Sequence, residues 1–428
     1  MFKTILQSVG VSLASVCVGF ISSIVLARLL GPEARGVYGS ALTVALLIAG
    51  FSQLGLAHGY VFYRRKTGHS GLLVIVLSLL VILATAGILL LVTHQFFLIN
   101  ELMPYFVLVL GLTFANTCHA YFQNAAQIDP KLYFYNILKI ILPLLTMLGL
   151  FIVFYTFGEL TVTATISILM ITTLVSTLFL AWNVFSFEFK VRTKHNFSMS
   201  DIMGYSSKIF GTSAIGIFIN SIDKIVLLGV GSMKEFGLYS VAFGLSRMIG
   251  ILPETMSTVI YSRFAGRDEN ELAVFVKRAF SILFLPLLGL CLVIAMMASW
   301  FIAFLFGVEY EAATWPFIIL LFEAVISSLG WMLSQRFNAA GRPGLVFLRQ
   351  IISTVPLIVI IFYSFGLQLL LLVSCALLVS SILRLLMTFV LYKKVLKEPA
   401  PAFYPTKAEI SSLLTIFALK KAKDNNVS

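Results

Sequence analysis

Apolar residues in this chain run nearly unbroken over stretches of about 20 positions, the length a helix needs to cross bilayer hydrocarbon. Polar residues gather in the short gaps between them. The pattern predicts helical spans near 6–30, 37–62, 71–93, 104–126, 135–156 and 162–185, then near 205–229, 237–262, 278–305, 313–337, 345–365 and 369–392. A polar linker from Phe187 to Asp201, carrying Lys190, Arg192 and Lys194, separates the two sets. The expected fold class is therefore an all-α polytopic membrane protein of about twelve spans. A six-helix bundle occupies 1–186, a linker 187–203, a second six-helix bundle 204–393 and a basic tail 394–428.

The first long run is broken within Ala27-Arg28-Leu29-Leu30-Gly31-Pro32-Glu33-Ala34-Arg35-Gly36-Val37-Tyr38-Gly39. Gly31-Pro32 is expected to stop a helix, because Pro lacks an amide donor and disfavours helical geometry in the residue before it. Gly36-Val37-Tyr38-Gly39-Ser40-Ala41 would then start the next helix. Gly237-Leu238-Tyr239-Ser240-Val241-Ala242 repeats that start after a break at Gly229-Val230-Gly231-Ser232. A second match pairs Asn124-Ala125-Ala126, Asp129-Pro130 and Pro143 with Asn338-Ala339-Ala340, Arg342-Pro343 and Pro356. Both matches fall in corresponding spans. They predict two parallel six-span repeats related by an axis along the membrane normal, with a central cavity at their interface.

Composition agrees with that solvent. Hydrophobic residues make up 60%, charged residues 11%, and the mean hydropathy is +1.01. The first run is too long for a signal peptide and carries Arg28, so it reads as a retained helix. Cys17, Cys118, Cys291 and Cys375 all lie inside apolar runs, which argues against disulfides and metal sites. Arg64-Arg65-Lys66, Lys131, the linker, Arg263, Arg267, Lys277-Arg278, Arg342 and the tail fall on one set of loops. The opposite loops carry Glu33, Glu101, Glu159, Glu235, Glu309 and Glu311, with few cations beyond Arg35 and Lys234. The positive-inside rule then puts both termini in the cytoplasm. The net charge of +12 reads as topology and contact with anionic membrane lipids; no nucleic-acid partner is expected.

The run Leu26–Tyr38 resembles the first hairpin of the polysaccharide transporter family. That family includes the O-antigen flippases (Wzx-like proteins) and belongs to the multidrug/oligosaccharidyl-lipid/polysaccharide exporter superfamily. Asp223-Lys224-Ile225-Val226-Leu227-Leu228-Gly229 with Gly237–Ala242 is similar to the start of the family's second half. Asn338-Ala339-Ala340-Gly341-Arg342-Pro343 resembles its tenth-span exit loop. The likeness implies a bacterial inner-membrane flippase. It would move undecaprenyl-diphosphate-linked oligosaccharide units, of O-antigen, capsule or exopolysaccharide, from the inner to the outer leaflet by alternating access. It also implies a polysaccharide polymerase and chain-length proteins as partners. Peptidoglycan-precursor flippases of the superfamily usually have fourteen spans, against twelve here.

Charges inside a membrane cost roughly 3 kcal/mol or more each, so they usually face a cavity or a partner. The candidates are Arg28, Lys139, Asp223, Lys224, Arg247, Glu254, Glu323 and Arg384. A diphosphate needs positive charge, and Arg offers bidentate phosphate geometry. Arg247 is the first choice for a phosphate contact, then Lys224, with Arg28, Lys139, Asn220, Asn124 and Asn338 as further cavity candidates. Glu254 is its partner or a proton-coupling group, and Asp223 and Glu323 are further coupling candidates. Plainer readings stand beside these: Arg28, Lys139 and Arg384 could snorkel to an interface, and Asp223 and Lys224 could be structural glue. Asn116, His119, Gln123 and Gln127 form one polar stripe, and Glu323, Ser327, Trp331, Ser334 and Asn338 another. Such stripes suit a shared cavity, or hydrogen bonds between helices.

Two other functions are weighed. A small-molecule exporter of the same superfamily would prefer an acidic cavity for cationic drugs, against the cationic excess here. A membrane polymerase, ligase or glycosyltransferase usually needs a long outward loop, and every outward loop looks short. No phosphate-binding Gly loop, metal cluster or nucleophile triad is present in the pattern. A transporter rather than an enzyme is expected, with no cofactor.

Overall fold

The computed structural model describes residues 2–96, 100–129, 133–190, 198–264, 269–339, 342–362 and 368–405. Lys131, Arg192, Lys194, Arg267 and the tail beyond residue 405, on which part of the charge argument rests, lie outside them, as do Pro130, Ala340 and Gly341 of the repeat motifs.

The regular elements are helices: α1 (Phe2–Ser52), α2 (Leu56–Thr67), α3 (Leu72–Phe96), α4 (Phe106–Ala125), α5 (Tyr133–Phe157), α6 (Val162–Phe189), α7 (Met199–Val230), α8 (Met233–Arg247), α9 (Ile251–Phe264), α10 (Glu269–Met296), α11 (Ala298–Phe306), α12 (Thr314–Ala339), α13 (Pro343–Phe362) and α14 (Leu369–Lys394). Among the described residues, ten helical stretches are long and apolar enough to cross a membrane. One of them, Ala14–Ser52, holds two legs that bend at Gly31 (φ 72°), and α13 adds a shorter apolar stretch, Gly344–Val359. The chain is a multi-pass membrane protein. Leu73, Leu80, Leu91, Val107, Leu178 and Trp300 are exposed, as lipid-facing residues should be.

Three expected spans are corrected. The span at 37–62 ends as a helix at Ser52, because Leu54 (φ 48°) and Gly55 (φ 70°) turn left-handed before α2. The span at 237–262 is split by a 3₁₀ turn, Met248–Gly250. Pro253 has no amide to offer the carbonyl of Ile249 and its ring crowds it. The span at 278–305 is jointed at Met297 between α10 and α11. Helix starts also shift. The second leg of α1 resumes at Pro32, where a fixed φ and a missing donor cost nothing, and α8 begins at Met233 rather than Gly237. Ser232 Oγ accepts the Glu235 amide (3.2 Å) while the Glu235 carboxylate accepts the Ser232 amide (2.9 Å). This closes a capping box before the repeated Gly-x-Tyr motif.

The chain packs as two compact units, Met1–Ala242 with Ile302–Ala313, and Phe243–Phe301 with Thr314–Ser428. In the first, α4 lies against α6 and α1. Leu112, Leu150, Ile166 and Tyr38 fill one core cluster, and Tyr60, Tyr121, Leu138 and Leu180 fill another. At one end Glu188 accepts hydrogen bonds from Tyr60 (2.7 Å), Arg64 (2.8 Å), Ser70 (2.9 Å) and the Gly71 amide (2.8 Å), which ties α2, α3 and α6 together. The two copies of the duplicated motif meet in this unit. A Cβ on Gly36 would lie 1.7 Å from the Met233 carbonyl oxygen, and one on Gly237 would lie 1.9 Å from that of Pro32. Each glycine faces the residue four before the other glycine. The contact is reciprocal, as a duplication predicts.

In the second unit α12 is central, packed by α14, α10 and α9, and α13 packs on α14. After α14 the chain folds back: Glu398 pairs with Lys277 (2.7 Å) and Arg336 (2.9 Å), and Phe403 packs on the rings of Phe280, Phe284 and Phe389. Burial pushes the Glu398 carboxyl upward, but the hydrogen bonds and charges of Lys277 and Arg336 outweigh it and hold it below the usual value of 4.5. A depressed carboxyl contributes stability that is present above 4.5 and lost as pH falls through the folded value. Thermal unfolding of the purified protein should therefore lose stability on acidification below pH 4.5. Glu398→Gln should flatten that loss, and an unchanged acid profile would contradict this account of the strap.

Candidate functional site

Within the second unit, α12 presents Glu323 to a cluster of arginines. Glu323 is 1% exposed, and a bare carboxylate at that depth would neutralise or be expelled. It is met instead by Arg247 Nη2 at 2.7 Å from the end of α8, by Ser381 Oγ at 2.6 Å and by Arg384 Nη2 at 3.6 Å, the last two on α14. The Ser381 hydroxyl also accepts from Arg384 Nη2 (2.7 Å), which fixes that side chain between the two groups. Arg349 of α13 is 2% exposed; its Nη1 donates to the Gly330 carbonyl (2.9 Å) and to Thr388 Oγ1 (2.7 Å), and its charge repels that of Arg384. Two guanidinium groups, those of Arg247 and Arg384, thus share the Glu323 carboxylate, with the Arg349 charge close to that of Arg384. The surplus of positive charge is largely buried at Arg349 and Arg384 and only partly screened by solvent at Arg247.

Arg247 is the accessible member. Its side chain is 31% exposed, and its guanidinium lies 4.4 Å from the Phe243 ring centroid. It can keep the Glu323 pair and still present N–H donors to an anion. In the first half, α4 and α6 carry no charged residue except Glu188 at the end of α6, and α5 carries only Lys139.

The other expected site residues are dispersed. Arg28 donates from Nε to the Leu305 carbonyl (2.8 Å) and from Nη2 to that of Phe304, so its guanidinium closes a helix end. Lys139 Nζ lies 4.4 Å from the Tyr135 ring centroid. Asp223 is buried and accepts from Tyr239 Oη (2.5 Å), which joins α7 to the duplicated tyrosine. Lys224 is half-buried beside it, and neighbours along a helix do not face each other. Asn220 is exposed; Asn124 accepts from Gln127 (3.3 Å) and Asn338 donates to Gln335 (3.2 Å). Glu254 lies past the 3₁₀ turn. Each 3₁₀ residue turns the chain 120° rather than 100°, so three of them shift the helical phase by about 60°, yet the Arg247 charge still acts on the Glu254 carboxylate, as expected of a partner. Its carboxylate lies by Gly250, which also abuts Ser328. His119 lies 3.4 Å from the Thr177 hydroxyl.

Two residues were missed. Arg349 lies inside an apolar run, so the rule that picked out Arg384 picks it out as well. Arg35, expected on an outer loop, is buried: it donates to Ser23 Oγ (3.0 Å) and stacks at 5.2 Å over Tyr38. Its position just after Gly31-Pro32 disguised it as a loop residue.

Residues 25–314 match the model of the polysaccharide biosynthesis protein family. The chain belongs to this family. Comparison with curated protein sequences gives no significant match. Among solved structures, the fold resembles the lipid II flippase MurJ in an inward closed conformation, with a TM-score of 0.70 at 14% identity, over 98% of this chain and 93% of that one. It also resembles an inward-facing multidrug resistance MATE family transporter of the MOP superfamily (TM-score 0.68, 17% identity, 90% and 96% covered). An outward-facing structure of a transporter of that kind scores 0.57 at 17% identity, over 91% and 94%. The family is that of polysaccharide biosynthesis proteins, and the fold is the one these solved transporters and the flippase share.

Proposed function

We propose that this protein is a flippase that carries diphosphate-linked oligosaccharide units on a polyprenyl lipid, such as undecaprenyl, from the inner to the outer leaflet of a bacterial inner membrane. The observation that carries the reading is the buried arginine cluster around Glu323, with Arg247 partly open. A cluster with surplus positive charge in low dielectric is suited to an anionic headgroup and repels a cationic drug. Arg247 would hold a phosphate, while Glu323, Arg384 and Arg349 hold Arg247 in place and keep the field positive. The twofold repeat supports two six-helix bundles over 1–186 and 204–393 that rock about a central cavity, with the polyprenyl tail left in lipid. Asp223, Glu254 and Glu323 are the coupling candidates for protons. The cationic ends at Arg64-Arg65-Lys66 and Lys393-Lys394 support cytoplasmic termini. A polysaccharide polymerase would take the flipped units.

Gene deletion should abolish surface polysaccharide and leave lipid-linked units in the inner leaflet. Wild type should restore the polymer, and Arg247→Ala, inserted at normal levels, should lower it about tenfold or more, the worth of one charge-assisted hydrogen bond. Arg247→Lys should rescue in part, because it keeps the charge and loses the fork. Intact surface glycans with raised sensitivity to cationic drugs would overturn the reading in favour of an exporter.

A further inference from the structure

The basic end of the first unit holds a cavity that the arginine cluster does not explain. It measures about 430 Å³ and is lined by His58, Val61, Phe62, Arg65, Lys66 and Tyr205. That volume lies in the range of small-molecule sites. Two chemistries meet in it. Phe62 and Tyr205 stack face to face, with centroids 4.3 Å apart and planes 11° apart, so α2 and α7 together build a rigid aromatic wall. Phe62 is 40% exposed, so part of its ring is open to a ligand. Arg65 donates from Nη2 to the Gln127 carbonyl (2.5 Å) and lines the cavity together with Lys66, whose Nζ lies 5.8 Å from the Tyr63 ring centroid. His58 is shared with a second cavity of about 220 Å³, lined also by Gln53, Gly55, Asn124 and Ser213, beside the left-handed break after α1. Two cationic side chains and an aromatic pair thus line one cavity, and amide and hydroxyl side chains line the next one across His58. That combination of surfaces suits a phosphate joined to sugar rings, whose C–H faces settle on aromatic planes and whose hydroxyls need amide partners.

We infer that this cavity is a loading site for a phosphate-bearing glycan headgroup, in which Arg65 and Lys66 take the phosphate and the Phe62–Tyr205 pair takes the first sugar. It lies apart from the Arg247 cluster in the chain and differs in chemistry. The arginine cluster offers charge alone, while this cavity reads charge and sugar together and gives the protein a means to reject bare anionic lipids. The inference rests on the flippase reading for the source of its ligand.

The test uses the full-length protein in phosphatidylcholine nanodiscs and three probes: undecaprenyl diphosphate, undecaprenyl diphosphate carrying N-acetylglucosamine, and phosphatidylglycerol. The sugar-bearing probe should bind about tenfold tighter than the bare diphosphate, the worth of one good stacking contact. Phe62→Leu, which keeps an apolar side chain and removes the ring, should erase that ratio. Arg65→Gln should weaken both diphosphates about tenfold, and phosphatidylglycerol should not compete. Equal competition by phosphatidylglycerol, with no effect of Phe62→Leu, would overturn the site as a plain lipid-contact patch. If Arg247→Ala weakens the sugar-bearing probe while Phe62→Leu and Arg65→Gln do not, the loading site falls and the flippase reading stands. If neither diphosphate binds wild type, both fall.

Discussion

Glu323→Gln is expected to destabilise the protein by about 3–5 kcal/mol and to abolish transport, because it removes the buried carboxylate that pairs with both Arg247 and Arg384. Gln keeps the volume and still accepts the Ser381 hydroxyl, so packing is spared and the charge is what is lost. Arg384 has 18% of its side chain exposed and is pinned by Ser381, so it has little route to water. Thermal unfolding of the detergent-purified variant measures the loss. The charge account makes a second demand. Glu323→Gln combined with Arg384→Gln should be less destabilised than the sum of the two single changes, since the second removes the charge the first left stranded. Additive losses, or a Glu323→Gln variant as stable as wild type, would show that the carboxylate is not what holds the arginines. Transport should stay lost in the double variant, because Arg247 still lacks the Glu323 carboxylate that orients it although the net charge of the cluster is restored.

This cluster also marks where sequence reasoning stops. Each of Arg247, Glu323 and Arg384 was visible alone, since a charge inside an apolar run is conspicuous whatever surrounds it. Their convergence was not. Local spacing pointed from Arg247 to Glu254, seven residues on. Arg247 does act on Glu254, but its closer pair with Glu323 depends on how α8, α12 and α14 pack, and no short-range pattern encodes that. The spans were legible because hydrocarbon thickness sets helix length directly. The joints at Gln53–Gly55 and Met248–Gly250 were not, because the residues around them stay apolar and hydropathy averages across a bend. Glu398 was hidden for a different reason. It follows the last span among lysines, where a solvated tail is the ordinary expectation, and only the return of Phe403 onto Phe280 and Phe284 reveals a strap.

The duplicated Gly-x-Tyr motif was the most legible feature, and it yields the second large prediction. The sequence marks Gly36 and Gly237 as equivalent, and the structure brings them together in a backbone crossing too close for any side chain. A methyl group at 1.7 Å from the Met233 carbonyl, or 1.9 Å from that of Pro32, meets backbone that has no rotamer with which to yield. Gly36→Ala and Gly237→Ala should each destabilise by about 3 kcal/mol or more, at the upper end of overpacking costs. The two losses should fall well short of additive, because the first alanine already prises the helices apart and relieves the second. Gly244 on the same α8 supplies the control: a Cβ there meets nothing within 4 Å, so Gly244→Ala should be neutral or stabilising by up to about 1 kcal/mol through helix propensity. Thermal unfolding separates the cases, and Gly36→Ala or Gly237→Ala as stable as Gly244→Ala would refute the crossing. The stake is functional as well as structural. Tyr239, two residues on from Gly237, holds Asp223, so a crossing forced open at Gly237 also shifts the hydroxyl that satisfies a buried carboxylate. The helix contact and the best-buried coupling candidate in the first unit are therefore mechanically one element. Gly237→Ala should impair transport more than an equal loss of stability placed elsewhere in the unit.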